Sequence, residues 1–159
     1  MIPAKYRGSV IVMGIGNPDR ADDAVGPLVA ARLANALPDT RIVSQVNDSF
    51  ALIEEWTGAQ IAVLIDAAAV IASPGRIHRI DLCCDELPCE LGLSSTHAFG
   101  LAETIALARA LGRLPERVIV YAVEGVCFDL GANMSPEVVA AADELTHLVA
   151  AEVRTCRAG

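Results

Sequence analysis

Three positions in this chain carry residue types that together could hold a metal: an acid at Asp22 or Asp23, the lone Asp66, and His97. Each is expected where a hydrophobic strand ends and a loop or helix begins. In an open α/β sheet, strand ends of that kind converge on one crevice, and ligands bind there. Two carboxylates and an imidazole in one crevice make a seat for a divalent transition metal. Asp66 stands out most. It interrupts the run Ile61-Ala62-Val63-Leu64-Ile65, which continues as Ala67-Ala68-Ala69-Val70. A carboxylate in so apolar a segment is costly to bury unless something pairs with it.

Each of these residues also has a structural reading. An acid at a helix N-terminus stabilises the dipole. Two adjacent acids cannot both cap, so one of Asp22 and Asp23 is expected to cap and the other to face the crevice. His97 stands at an expected helix start, where a cation is disfavoured. It is therefore read as neutral, which suits a metal ligand. His78 and His147 fall on an edge strand and an exposed helix face and are read as surface residues. Cys83, Cys84 and Cys89 lack tetrahedral spacing and a fourth ligand, so they read as loop or core thiols. No GxSxG elbow is present, and no cysteine has a histidine near it in sequence.

The elements that must position these residues alternate. A strand over residues 9–13 ends in Gly14-Ile15-Gly16-Asn17-Pro18. A helix begins between Asp22 and Pro27, because proline is tolerated only near the first turn. Val25, Leu28, Val29 and Leu33 give it an apolar stripe. A strand over residues 41–46 and a short helix over 49–56 follow, the helix ended by Gly58. Residues 61–65 fit a central parallel strand buried on both faces. After the turn Ser73-Pro74-Gly75, residues 76–82 alternate charged and apolar, as a half-exposed edge strand does. Residues 85–96 read as a loop. A helix runs from about residue 98 to 111, with Gly112 as its stop, and a strand spans 117–123. The last helix starts at Ser135-Pro136-Glu137, in cap, proline, acid order. The order βαβαββαβα implies a three-layer α/β/α sandwich on a mostly parallel, twisted sheet of about five strands. Residues 1–159 read as a single domain.

The glycines of Gly14-Ile15-Gly16-Asn17-Pro18-Asp19 fail as a dinucleotide fingerprint. The third glycine is replaced by Asp19, whose charge would repel a pyrophosphate. Glycine still allows positive φ and close backbone approach. Gly14, Gly16 and Asn17 could therefore seat an extended peptide backbone, or form only a tight turn. The opening Gly14-Ile15-Gly16-Asn17-Pro18 also echoes the peptidyl-tRNA hydrolases, but the downstream histidine that family needs is absent.

Composition narrows the field further. Of 159 residues, 53% are hydrophobic and only 4% aromatic, which predicts a core of Ala, Val, Leu and Ile. Twenty acids against twelve Lys plus Arg give a net charge of −8. That balance speaks against nucleic acid as a partner and is compatible with a basic or metal-bearing protein partner. Residues 61–72 fall short of the ~20 needed to span a bilayer. No signal peptide is visible, and the five cysteines are odd in number without a CxxC pair. The chain is accordingly expected to be cytoplasmic, with reduced thiols and no membrane partner.

Taken together, these residues resemble the hydrogenase maturation proteases, endopeptidases that trim the C-terminus of the large subunit of nickel–iron hydrogenases. The family's opening GxGNxxxxDDxxG is similar to Gly14 to Gly26. Its strand-terminal aspartate resembles Asp66 in Leu64-Ile65-Asp66-Ala67, and its histidine before a helix resembles His97 in Ser95-Thr96-His97-Ala98-Phe99-Gly100-Leu101. Val123-Glu124-Gly125, Gly131 and Met134-Ser135-Pro136-Glu137-Val138 resemble its C-terminal pattern. The resemblance implies nickel ligation by Asp23, Asp66 and His97, with Asp22 and Asp23 alternatives for the first ligand. It implies catalytic work by Asp22, Asp23 and Asp66, with Asp22 a base on position only. The nickel would arrive on the substrate, a large-subunit precursor, and be ligated only transiently. A non-catalytic nickel- or precursor-binding chaperone module using the same residues is the alternative.

Overall fold

A computed structural model describes residues 9–82 and 100–158. Five strands and four helices follow the expected order. They are β1 (Val10–Ile15), α1 (Val25–Ala36), β2 (Arg41–Val46), α2 (Ser49–Trp56), β3 (Ile61–Ala69), β4 (Ile77–Asp81), α3 (Leu101–Ala110), β5 (Arg117–Gly125) and α4 (Pro136–Ala158). A single 3-10 turn, Ala21–Ala24, precedes α1. The strands form one sheet in the order β2-β1-β3-β5-β4. All pairs are parallel except β4 with β5.

Helices cover both faces, which is why the central strands are apolar without alternation. On one face Ile11, Met13, Leu64 and Val120 pack beneath Leu52 and Trp56 of α2 and Leu101 and Ile105 of α3. On the other, Val12, Val63, Ile65 and Ile119 pack beneath Val29 and Leu33 of α1 and Leu145 and Val149 of α4. Local chemistry starts and stops the helices. The Asp48 side chain caps α2 by accepting from Ala51 N–H at 2.9 Å. Gly112, at φ +68°, takes the left-handed conformation that closes α3.

Three strands run further than expected. β1 continues through Gly14 and Ile15, β3 continues past Asp66 to Ala69, and β5 continues past Val123 to Gly125. Asp66 therefore stands inside a strand, not at its end. Ala67, Ala68 and Ala69 pair with Val123, Glu124 and Gly125, so β5 supplies the ladder that carries β3 onward. The small side chains of Ala67 and Ala68 are buried, and Ala69 is exposed.

The end of β1 and the middle of β3 receive the start of α1 at very short range. A Cβ on Gly26 would fall 2.5 Å from both the Ile15 and Ile65 carbonyl oxygens. Only a residue without a side chain permits that approach. Gly26→Ala is expected to lever α1 off the sheet and cost about 3 kcal/mol. Thermal denaturation should show a fall of about 10 °C in Tm.

Candidate functional site

The C-terminal edge of the parallel strands gathers the acids. Ala21 holds φ +50°, which a non-glycine residue adopts rarely, and this bends the chain just before them. Asp22 and Asp23 are 0% and 1% exposed, and Asp66 is 0% exposed. The 3-10 turn that carries the two adjacent acids packs against β3, which carries Asp66.

The two adjacent acids do different things, and neither caps its own turn. Asp22 reaches across to the loop between β5 and α4. Its Oδ2 accepts from Val126 N–H (2.8 Å), Cys127 N–H (3.0 Å) and Ser135 Oγ–H (2.8 Å). Its Oδ1 accepts from Ser135 N–H at 2.7 Å. Asp22 thus secures the start of α4 and the loop before it, contrary to the expectation that one acid would cap its own helix. Asp23 turns back toward β1, where its Oδ2 accepts from Asn17 N–H at 2.9 Å.

The glycines expected to seat a substrate backbone lie against the chain's own backbone. A Cβ on Gly14 would meet the Gly26 carbonyl at 2.5 Å, and one on Gly16 would meet the Asp23 carbonyl at 2.2 Å. Gly16, at φ +132°, makes room for the turn that carries Asp23. Asn17 is half-buried, and its Oδ1 accepts from Asp19 N–H at 2.9 Å. Asn17 therefore orients Asp23 through its backbone and braces the following residues through its side chain.

Asp66 shares one sheet face with Leu64 and Ala68, the face covered by α2 and α3. Its Oδ1 accepts from the N–H of Ala67 at 2.8 Å. Leu101, the first residue of α3, packs on this same face. His97, expected beside these acids, lies outside the described residues, as do Cys83, Cys84 and Cys89. Among the described residues no three His, Cys, Asp or Glu side chains gather as a metal site. Of the expected donor set, the described residues contain the two buried carboxylates of Asp23 and Asp66.

His78 corrects the expectation of a surface histidine. It is half-buried, and its Nε2 lies 2.8 Å from Oε2 of the fully buried Glu124. Glu124 belongs to the C-terminal pattern quoted above, but its contacts were not legible because its side-chain partners are 46 or more residues away in sequence. Burial alone would raise its pKa. Hydrogen bonds from Ala72 N–H, His78 and Ile71 N–H outweigh burial and hold it at about 2, against an ordinary 4.5. Because the folded value is the lower one, the unfolded chain binds the extra proton between these pH values. The resulting stability is present above about pH 4.5 and is lost as pH falls toward 2. Urea denaturation of Glu124→Gln across that window should show a flatter loss than wild type.

His147 is exposed on α4, as expected. Cys127 and Cys156 are half-buried free thiols. No helix among the described residues is long and apolar enough to cross a membrane.

This architecture is an open, doubly covered α/β sheet with Asp22 and Asp23 beyond the carboxyl end of β1 and Asp66 in the C-terminal half of β3, toward the side where such folds place ligands. Residues 35–152 match the hydrogenase maturation protease family HycI, and the chain belongs to that family. It is 28% identical over 163 aligned positions to the hydrogenase expression/formation protein HupD of Rhodobacter capsulatus, covering 99% of this chain and 75% of that protein. It is 27% identical over 135 positions to HupD of Thiocapsa roseopersicina, covering 81% of this chain and 60% of that one. The hydrogenase maturating endopeptidase HybD of E. coli superposes with a TM-score of 0.73 at 19% identity, covering 92% and 93% of the two chains. The [NiFe] hydrogenase maturation protease HybD of Thermococcus kodakarensis gives 0.72 at 21% identity, over 91% and 99%. At these identities the structural matches speak for the fold.

Proposed function

We propose that this chain is the endopeptidase that removes the C-terminal extension of a nickel–iron hydrogenase large-subunit precursor after nickel insertion. Asp23, Asp66 and His97 complete the coordination of a nickel ion that the precursor already carries. The observation that carries this reading is the division of labour between the adjacent acids. The four side-chain hydrogen bonds of Asp22 run to the loop before α4, which favours Asp23, whose turn packs on the strand of Asp66, as the ligand.

Carboxylate and imidazole donors suit nickel among other ions. Three such donors with open positions hold a metal weakly by themselves. That weakness makes the site a reader of metal already seated on a protein. Docking anchors the precursor by its nickel and brings the scissile bond beside the carboxylates. Proximity supplies much of the rate. The substrate's nickel or an adjacent carboxylate polarises the scissile carbonyl or the attacking water. The four donors already on its oxygens count against Asp22 as the base.

The test is to incubate the purified protein with nickel-loaded and nickel-free precursor and to weigh the products. Loss of a C-terminal peptide from the loaded form alone is expected. Equal cutting of both forms would contradict nickel reading, and binding without cutting would favour the chaperone alternative. In the same assay His97→Ala should abolish processing; undiminished cutting would remove His97 from the site.

A further inference from the structure

The proposed chemistry makes no use of Glu124, the buried acid on β5. Its Oε1 accepts from two successive backbone N–H groups beyond the end of β3, Ile71 at 2.5 Å and Ala72 at 2.7 Å. Its Oε2 takes the His78 contact from β4. One side chain thus ties together the exit of β3, the strand β5 and the edge strand β4. The backbone of the same residue adds to this tie. Gly75 N–H donates to the Glu124 carbonyl at 2.7 Å, and Glu124 N–H donates to the Arg76 carbonyl at 2.9 Å.

The register relates this knot to Asp66. Asp66 pairs with Ala122, and Ala122 pairs with His78, so the three form one row across β3, β5 and β4. Glu124 pairs with Ala68, one pleat further along the same face. Asp66 and His78 stand two strand spacings apart, ~10 Å at the backbone. The residues that follow Asp66 are alanines, which contribute little side-chain packing of their own. Val70 and Ile71, next in the chain, are 44% and 53% exposed. Without an anchor, a strand end of this composition would open locally at small cost. Water could satisfy the Ile71 and Ala72 N–H groups but would not hold them in place. A buried carboxylate, itself held by an imidazole, does.

We propose that the Glu124–His78 pair is the positioning device for Asp66, tying down the exit of β3 so that the Asp66 carboxylate keeps one orientation while a protein substrate docks. The kinetic half of this inference rests on the proposed function; the structural half stands apart from it.

The experiment compares Glu124→Ala, Glu124→Gln and His78→Gln in the full chain, by amide exchange and by precursor processing. Glutamine keeps an oxygen for the two N–H groups and an NH₂ for a neutral imidazole nitrogen. In Glu124→Ala, exchange over residues 66–72 should rise about tenfold or more while β1 and α1 stay unchanged. The kcat for processing should fall about tenfold with KM within about twofold, and Glu124→Gln should stay near wild type on both. Should Glu124→Ala not fold, His78→Gln, which spares both backbone contacts, is read for smaller changes of the same kind.

Faster exchange with an unchanged kcat would overturn the proposal. Equal acceleration in β1 and α1, or a glutamine variant as impaired as alanine, would also overturn it. If wild type does not process the precursor, the proposed function falls, and the Ala67 amide decides the positioning claim. That amide donates to Asp66 Oδ1. Faster exchange there in Glu124→Ala sustains the claim, and unchanged exchange ends it.

Discussion

Replacing Asp66 by asparagine is expected to stop precursor processing while leaving the fold intact. Asparagine keeps the volume, and its carbonyl oxygen can still accept from Ala67 N–H, the contact Asp66 makes through Oδ1. What it loses is the charge that a nickel ion would meet. Removing partners that merely support a metal ligand costs ten- to a hundredfold, so loss of a ligand itself should lower the processing rate by at least about a hundredfold. The change should appear in turnover measured by mass spectrometry on nickel-loaded precursor, with Tm close to wild type. Asp23→Asn should behave alike, because its amide oxygen can still accept from Asn17 N–H. A variant of either kind that processes at the normal rate would take that residue out of the site.

Asp22→Ala should fail in the opposite way. It strips four hydrogen bonds from the loop before α4 and leaves the N–H groups of Val126, Cys127 and Ser135 without their acceptor. Those groups are partly buried, so water recovers only some of the loss. A cost of about 3 kcal/mol is expected, seen as a Tm lower by about 10 °C and faster amide exchange over residues 126–135. Asp22→Asn should fall between, since one of its two side-chain atoms then presents hydrogens to donors. Two neighbouring acids would thus separate cleanly, one by stability and one by turnover. If Asp22→Ala folds as well as wild type but cuts no precursor, the roles assigned to the pair are reversed.

Much of the scaffold was legible because its punctuation is local. The strand Arg41–Val46 and the helix Ser49–Trp56 fall where they were expected, the helix stopping just before Gly58. The start of α4 follows from Ser135, Pro136 and Glu137 in order. The misread boundaries are those decided by neighbours across the sheet. Asp66 looked like a stop because a carboxylate is unwelcome in an apolar strand, yet β5 carries the ladder three residues past it. Gly14 looked like a turn, yet it lies inside β1 and touches the Gly26 carbonyl.

The site shows the same limit. That the turn carrying Asp22 and Asp23 comes against the strand of Asp66 could be read from the alternation of strands and helices. Which of the two side chains serves the loop before α4 could not, since the partners of Asp22 lie more than a hundred residues downstream. His78 reads as a surface residue from its alternating strand. Only the pairing of β4 with β5 brings it to Glu124.

Nickel-edge X-ray absorption on the complex between this protein and a nickel-loaded precursor whose scissile bond is blocked tests the central claim most directly. Oxygen and nitrogen neighbours at about 2.0–2.1 Å, absent from the precursor alone, should join the metal's coordination on complex formation, and should diminish with Asp23→Ala or Asp66→Ala. A nickel spectrum unchanged by the protein, in a complex shown to have formed, would contradict it.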